Sequence, residues 1–331
     1  MKLVTLVCGA CLAVVGCEEK APPAPSAEPR VTAAPNAQGS ASPSASAAPA
    51  AATIDAAAVE AATGIKPEIA DGVVKVSYPR GDVKVEVDGW AMPPFMGLTS
   101  WAGFTRGEKP GIEAMVMGDL VLFEDEVSDV MSAALGSGIA VTALHNHFFY
   151  DKPHVFFMHI EGEGGVAALG KGVRTALDAM KAVRAKSAQP KDRGDAPAMP
   201  AKSAIDGAKL EAVFGVKGAA RDGMYKITIG RPATQAACGC KIGKAMGVNT
   251  WAAFAGTDDN ALVDGDFATA EDELQPVLKA LRGGGIHVVA IHHHMVGEQP
   301  RILFLHYWGR GSAATLAATV KRAVDLTKTG G

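Results

Sequence analysis

One pattern of about 125 residues is written twice in this chain, and the two copies must share a fold because their core positions recur in step. The segment IDAAAVEAATGIKPEIADG from Ile54 returns as IDGAKLEAVFGVKGAARDG from Ile205. MGLTSWAGF from Met96 returns as MGVNTWAAF from Met246, and GDLVLFEDEVSDV from Gly118 as GDFATAEDELQPV from Gly265. The repeats occupy residues 54–183 and 204–331, and a Lys/Pro/Asp/Ala-rich linker, 184–203, joins them.

Hydrophobic period gives the architecture of one repeat. A helical stretch opens each copy and stops at Gly64 or Gly215, residues suited to the left-handed C-cap position. Alternating apolar residues follow (Val74, Val76, Tyr78; Tyr225, Ile227, Ile229), then a strand around Trp101 or Trp251 and a strand reaching Gly118-Asp119 or Gly265-Asp266. Three acids, Glu124 to Glu126 or Glu271 to Glu273, suit the positive end of a helix dipole and mark the next helix. Two β-branched, apolar runs around the turns YDKP and GEQP predict a β-hairpin, and a last helix covers the sheet. The expected fold class is α+β: two tandem units of order α-β-β-β-α-β-β-α, mainly antiparallel and related by a pseudo-twofold.

The N-terminus sets an expected compartment. Leu3 to Val15 is apolar but too short for a permanent membrane span, and Val14-Val15-Gly16-Cys17 reads as a lipobox. Residues 1–17 are expected to be a lipoprotein signal peptide, with Cys17 lipidated; a plain secretory peptide is the alternative. Residues 18–53, rich in Ala, Pro and Ser, lack the apolar content to offset ordering entropy and read as a disordered tether. The expectation is a lipid-anchored protein of the bacterial cell envelope, on the periplasmic side of the outer membrane where two membranes exist. A net charge of −3 with no basic run argues against a nucleic-acid partner.

The chemistry gathers on the hairpins. All nine histidines lie between 145 and 159 or between 287 and 306, and at a constant offset His145, His147 and His159 match His292, His294 and His306. Alternate residues of a strand share a face, and a turn centred on Lys152 or Gln299 sets His159 opposite His145 and His306 opposite His292. Three neutral imidazoles on one patch describe a divalent-metal site, zinc first, with copper or nickel also suited. Asp119, Asp266, Glu126 and Glu273 recur at the same spacing and are candidates for a fourth ligand, a supporting partner or a base on bound water. Against this stands the reading that the histidines are polar members of a sheet face. His154, His287 and His293 have no histidine counterpart and read as periphery.

Other residues leave more open. Trp101 and Trp251 could line a pocket over the hairpin, although core packing is the commoner role of a strand tryptophan. With Cys8 and Cys11 in the signal segment and Cys17 at the anchor, Cys238 and Cys240 remain, two residues apart. A local disulfide, two free thiols and a soft metal site are all open for them.

The combination W-A-x-F, G-D-x6-E, A-[LI]-H-x-H and P-x-x-x-[FY]-x-H-x-x-G-x-G, found in both copies, resembles the LppY/LpqO-like lipoprotein family. Ala143 to His147 matches its usual HNH run; His293 departs from it. The resemblance implies an exported bacterial protein and no established activity. No G-x-S-x-G, H-E-x-x-H or phosphate loop is present, so the sequence supports a metal-binding envelope lipoprotein, with hydrolase-like chemistry as one use of the site. The alternatives are a non-enzymatic binding module for a cell-wall sugar or peptide, and a structural lipoprotein whose paired hairpins mediate assembly.

Overall fold

The computed structural model describes residues 54–191 and 198–328; the signal segment, Cys17 and the whole of the tether lie outside them. The first repeat opens with α1 (Ala56–Thr63), capped by the Asp55 carboxylate, which accepts from the Ala57 N–H at 2.9 Å, and closed by Gly64 at φ 72°. Then come β1 (Glu68–Ala70), β2 (Val73–Pro79), β3 (Val85–Val87), β4 (Trp90–Met92), β5 (Thr99–Arg106), β6 (Ala114–Phe123), α2 (Glu124–Gly136), β7 (Ala140–His145), β8 (Asp151–Lys152), β9 (Val155–Gly164) and α3 (Val166–Lys186). The second repeat runs α4 (Gly207–Phe214), β10 (Ala219–Arg221), β11 (Met224–Gly230), β12 (Ala233–Gln235), β13 (Cys240–Ile242), β14 (Asn249–Gly256), β15 (Ala261–Ala270), α5 (Glu271–Gly283), β16 (His287–His292), β17 (Glu298–Gln299), β18 (Ile302–Gly311) and α6 (Ala313–Val324).

The fold is α+β with two tandem repeats, and its named strands pair antiparallel. Each repeat carries four short strands beyond the expected order: β1, β3, β4 and β8, or β10, β12, β13 and β17. Strands of two or three residues are too short to display a period of two, so the sequence pattern could not mark them.

The main sheet has twelve strands in the order β1-β2-β5-β6-β9-β7-β16-β18-β15-β14-β11-β10, which reads the same from either end once the repeats are exchanged. At its centre Leu144 pairs with Ile291, its own equivalent in the other copy. A residue opposite its own equivalent marks the approximate twofold, which passes through the β7–β16 seam. Gln275 of α5 locks the seam, donating to the Val141 carbonyl at 2.8 Å and accepting from its N–H at 3.0 Å.

Alternation along β6 shows why the sheet has two unlike faces. Leu120 and Leu122 join the large core beneath the helices, which also takes Val130, Met131 and Ala134 of α2 and runs without a break into the second repeat through Val277, Leu278 and Leu281. Val121 and Phe123 point the other way, into a small core with Val83, Val85, Leu98, Val155 and Phe157. Ala233, Val248, Ala268, Ile302 and Phe304 form its counterpart. The short strands β3, β4 and β8, and β12, β13 and β17, form three-stranded sheets at these small cores. The histidines sit beside them, on the face away from the helices.

Candidate metal centre

The register of the hairpin differs from the expected one by two residues. His145 lies opposite Phe157 and His159 opposite Ala143; likewise His292 opposite Phe304 and His306 opposite Ala290. A β-bulge between Val141 and Ala143, matched between Val288 and Ala290, absorbs an extra residue. Because a strand's period is two, a shift of two keeps every side chain on its face. The trios survive as diagonal neighbours.

Ring distances are tight in both copies. His145 stacks with His147 and with His159, each at 5.1 Å between centroids, and His292 with His294 at 5.1 Å and His306 at 4.6 Å. The strand ends at His145 or His292, so His147 and His294 lie just beyond it. They are steered back by stacking on the opposing phenylalanines: His147 on Phe157 at 3.6 Å and His294 on Phe304 at 3.5 Å. The small cores thus provide the platform on which the second histidine of each H-x-H rests.

Asp119 and Asp266 join the histidines, although each lies in mid-strand and not at a strand end. Asp119 is directly opposite His159 on one side and Trp101 on the other; Asp266 stands between His306 and Trp251. Residues directly opposite share a face, so tryptophan, aspartate and histidine form a cross-strand row in each repeat. The tryptophans are half-buried and carry lysines over their rings, Lys75 at 4.6 Å and Lys226 at 3.7 Å.

In the second repeat one ligand atom each from Asp266, His292 and His294 falls within 4.8 Å of the others, and Asp266 Oδ2 is 3.5 Å from His294 Nε2. No other metal-type cluster occurs among the described residues. Asp266 is only 4% exposed, and its Oδ1 and the Nε2 of His292 are buried without a hydrogen-bond partner. Asp119 Oδ1 is orphaned in the same way. A buried polar atom left unpaired costs about 1–3 kcal/mol, so these atoms fit a set of donors aimed at a ligand. Burial, reinforced by the charge of Asp264, pushes the Asp266 carboxyl up to about 7. Burial also holds His147, His292 and His294 below the ordinary imidazole value, with the neighbouring histidines adding to it. Neutral imidazoles are the form that binds metal.

Glu126 and Glu273 are not part of this group, which corrects their expected role. Each lies buried at the start of its helix, where its carboxylate accepts from Phe123 N–H or Ala270 N–H at 2.9 Å, the returning half of a capping box. The remaining capacity goes to arginine. Arg80 reaches both oxygens of Glu126, at 2.8 and 2.9 Å, and Arg184 approaches it at 2.8 Å. Arg231 binds both oxygens of Glu273, and Lys328 N–H donates to it at 2.7 Å. Arg80 and Arg231, each just past the second strand of its repeat, were not among the residues singled out from sequence; their matched position after Tyr78-Pro79 and Ile229-Gly230 was the available signal.

The peripheral histidines separate. His154 is exposed beside Asp151 at 3.4 Å, His293 meets Arg301 at 3.1 Å, and His287 bonds Ser128 Oγ across the repeat boundary at 2.6 Å. Cys238 and Cys240 form a disulfide.

The family model described as Domain of Unknown Function (DUF1259) matches residues 57–179 and again 208–326. The chain belongs to this family. Its two matches confirm the duplication and attach no activity to it. No curated protein matches the chain. Among solved structures, EtuB from Clostridium kluyveri is similar at 11% identity over 78% of this chain and 88% of that one, with a TM-score of 0.22. The double ringed trimeric shell protein MSM0271 from the RMM microcompartment is 14% identical over 67% and 85%, and the trimeric microcompartment shell protein PduB 13% identical over 78% and 89%, each with a TM-score of 0.17. At such scores the likeness carries no argument about fold or function.

Proposed function

We propose that this family member is an exported, lipid-anchored protein that binds a divalent metal ion on the sheet face of its repeats, foremost at Asp266, His292 and His294. The observation that carries the reading is the pair of buried, unpartnered donors, Asp266 Oδ1 and His292 Nε2, in a three-residue donor set. Zinc–imidazole and zinc–carboxylate bonds are about 2.0–2.2 Å, so drawing these atoms round one ion takes side-chain movements of about an ångström and no change of backbone. His306, stacked on His292, is the fourth ligand or orients it. Zinc suits the set best, and copper or nickel also fit imidazole. His145, His147, His159 and Asp119 form the equivalent, weaker site. A bound ion would polarise an open-position water, which is the basis for hydrolase-like use of the site.

The lipobox Val14 to Cys17 supports membrane anchoring, and no described helix is long and apolar enough to cross a membrane. Fatty-acid labelling that tags the wild type and spares Cys17→Ala is the expected result; equal labelling of both refutes the anchor. For the metal, elemental analysis of purified protein loaded with zinc should give one to two ions per chain, and protein that stays metal-free under every loading condition refutes the reading.

One observation favours the binding-module alternative. In the first repeat the rings of Phe149 and Tyr150, 6.3 Å apart just after the H-x-H run, are exposed, as is Trp90 on β4, and Asp88 N–H bonds the Tyr150 carbonyl at 3.4 Å. Exposed aromatic faces of this kind stack on sugar rings or peptide side chains. The same metal assay separates the readings.

A further inference from the structure

The two repeats close the same hairpin in different ways. Between β3 and β4 the first repeat uses the two-residue turn Asp88-Gly89, both residues at positive φ (50° and 78°), the ordinary tight connection for a twisted antiparallel pair. Between β12 and β13 the second repeat spends four residues, Ala236 to Gly239, and ends with Cys238-Gly239-Cys240 bridged by a disulfide. The pairing it delivers, Gln235 with Cys240, is the one the first repeat delivers as Val87 with Trp90 without any bridge. The fold therefore has no need of the disulfide here.

Its location adds two points. Entropic stabilisation by a cross-link grows with the loop it closes, and this one spans a sequence separation of 2, near the least a disulfide can span. Both cysteines are exposed, and the Cys240 N–H donates to Cys238 Sγ at 3.2 Å. An exposed disulfide that contributes little to folding is of the kind that exchanges with thiols.

We propose that Cys238–Cys240 is a thiol–disulfide exchange site whose co-reactant is a dithiol. A partner thiolate attacks Cys240 Sγ and a mixed disulfide forms there. The Cys238–Cys240 bond breaks, and its electron pair leaves on Cys238 Sγ, where the Cys240 N–H stabilises the new thiolate. The partner's second thiolate then displaces Cys240. The partner dithiol is oxidised to its disulfide, and the cysteine pair gains two electrons and two protons. In the reverse direction the bridge is re-formed from a partner disulfide.

The test uses the full chain and reads this pair alone by peptide mapping after alkylation, because the tryptic peptide 227–241 holds both cysteines. The probes are dithiothreitol and glutathione buffers. The expected result is reduction within minutes by a roughly tenfold excess of dithiothreitol, and, on brief exposure to reduced glutathione, an adduct on Cys240 with Cys238 alkylated. A pair that stays oxidised for hours in dithiothreitol overturns the proposal. The variant carrying both C238S and C240S should keep its melting temperature within about 2 °C, whereas a loss of about 10 °C or more would show a structural clamp and also overturn it.

Discussion

The two histidine sites are copies in sequence and unequal in structure. Both present three stacked rings, an aspartate in mid-strand and a phenylalanine under the second histidine. Only the second brings an aspartate and two imidazoles within 4.8 Å, and only there is a histidine nitrogen buried without a partner. The exposed surface differs as well. The first repeat exposes Trp90, Phe149 and Tyr150, where the corresponding positions of the second carry Cys240, Val296 and Gly297. Duplication preserved the platform, and the copies then diverged in what they do with it: a tighter donor set in one, an aromatic surface in the other.

The largest expected effect separates the repeats by their buried arginines. Arg231→Ala leaves the buried Glu273 carboxylate to backbone N–H donors and should destabilise the protein by about 3–5 kcal/mol. Arg80→Ala should cost less, because Arg184 still lies 2.8 Å from Glu126. Chemical denaturation measures both, and equal losses would remove this asymmetry.

A second test uses pH. The Asp266 carboxyl titrates near 7 in the metal-free fold and near 3.8 in the unfolded chain, so between those values the native state holds a proton that the unfolded state has released. Its contribution to stability is present at pH 4 and is lost as pH rises to 7, by at most about 4 kcal/mol. The lowered His292 and His294 act oppositely, losing stability as pH falls below about 6.5. The difference between wild type and Asp266→Asn isolates the carboxylate: the wild type should lose ground to the variant as pH rises from 4 to 7. A flat difference would contradict the burial assigned to Asp266.

What the sequence could reveal follows from periods and from copies. The repeat offset identified the histidine trios, and the period of two placed each trio on one face. It misjudged the pairing by two residues, since a bulge leaves no mark in a pattern of alternating apolar residues. Glu126 and Glu273 were legible as helix-start acids, but their partners lie 46 and 42 residues away in sequence, and no local pattern links an acid to a distant arginine. The role of Phe157 and Phe304 as stacking platforms was also hidden, because a phenylalanine in a strand reads as core whichever small core it enters.

The smallest effect concerns the lysines above the tryptophans. Lys226 sits closer to its ring than Lys75, at 3.7 against 4.6 Å. Lys226→Ala should destabilise by about 0.5–1 kcal/mol and Lys75→Ala by less. Thermal unfolding of the two variants checks the order.

The central claim, that the second repeat holds the stronger metal site, is tested most directly by titration calorimetry with zinc on the wild type, on His292→Ala with His294→Ala, and on His145→Ala with His147→Ala. The account predicts that the tighter binding event disappears in the first double variant, with affinity reduced by about 100-fold or more, and persists in the second. Unchanged zinc binding when His292 and His294 are replaced would contradict it.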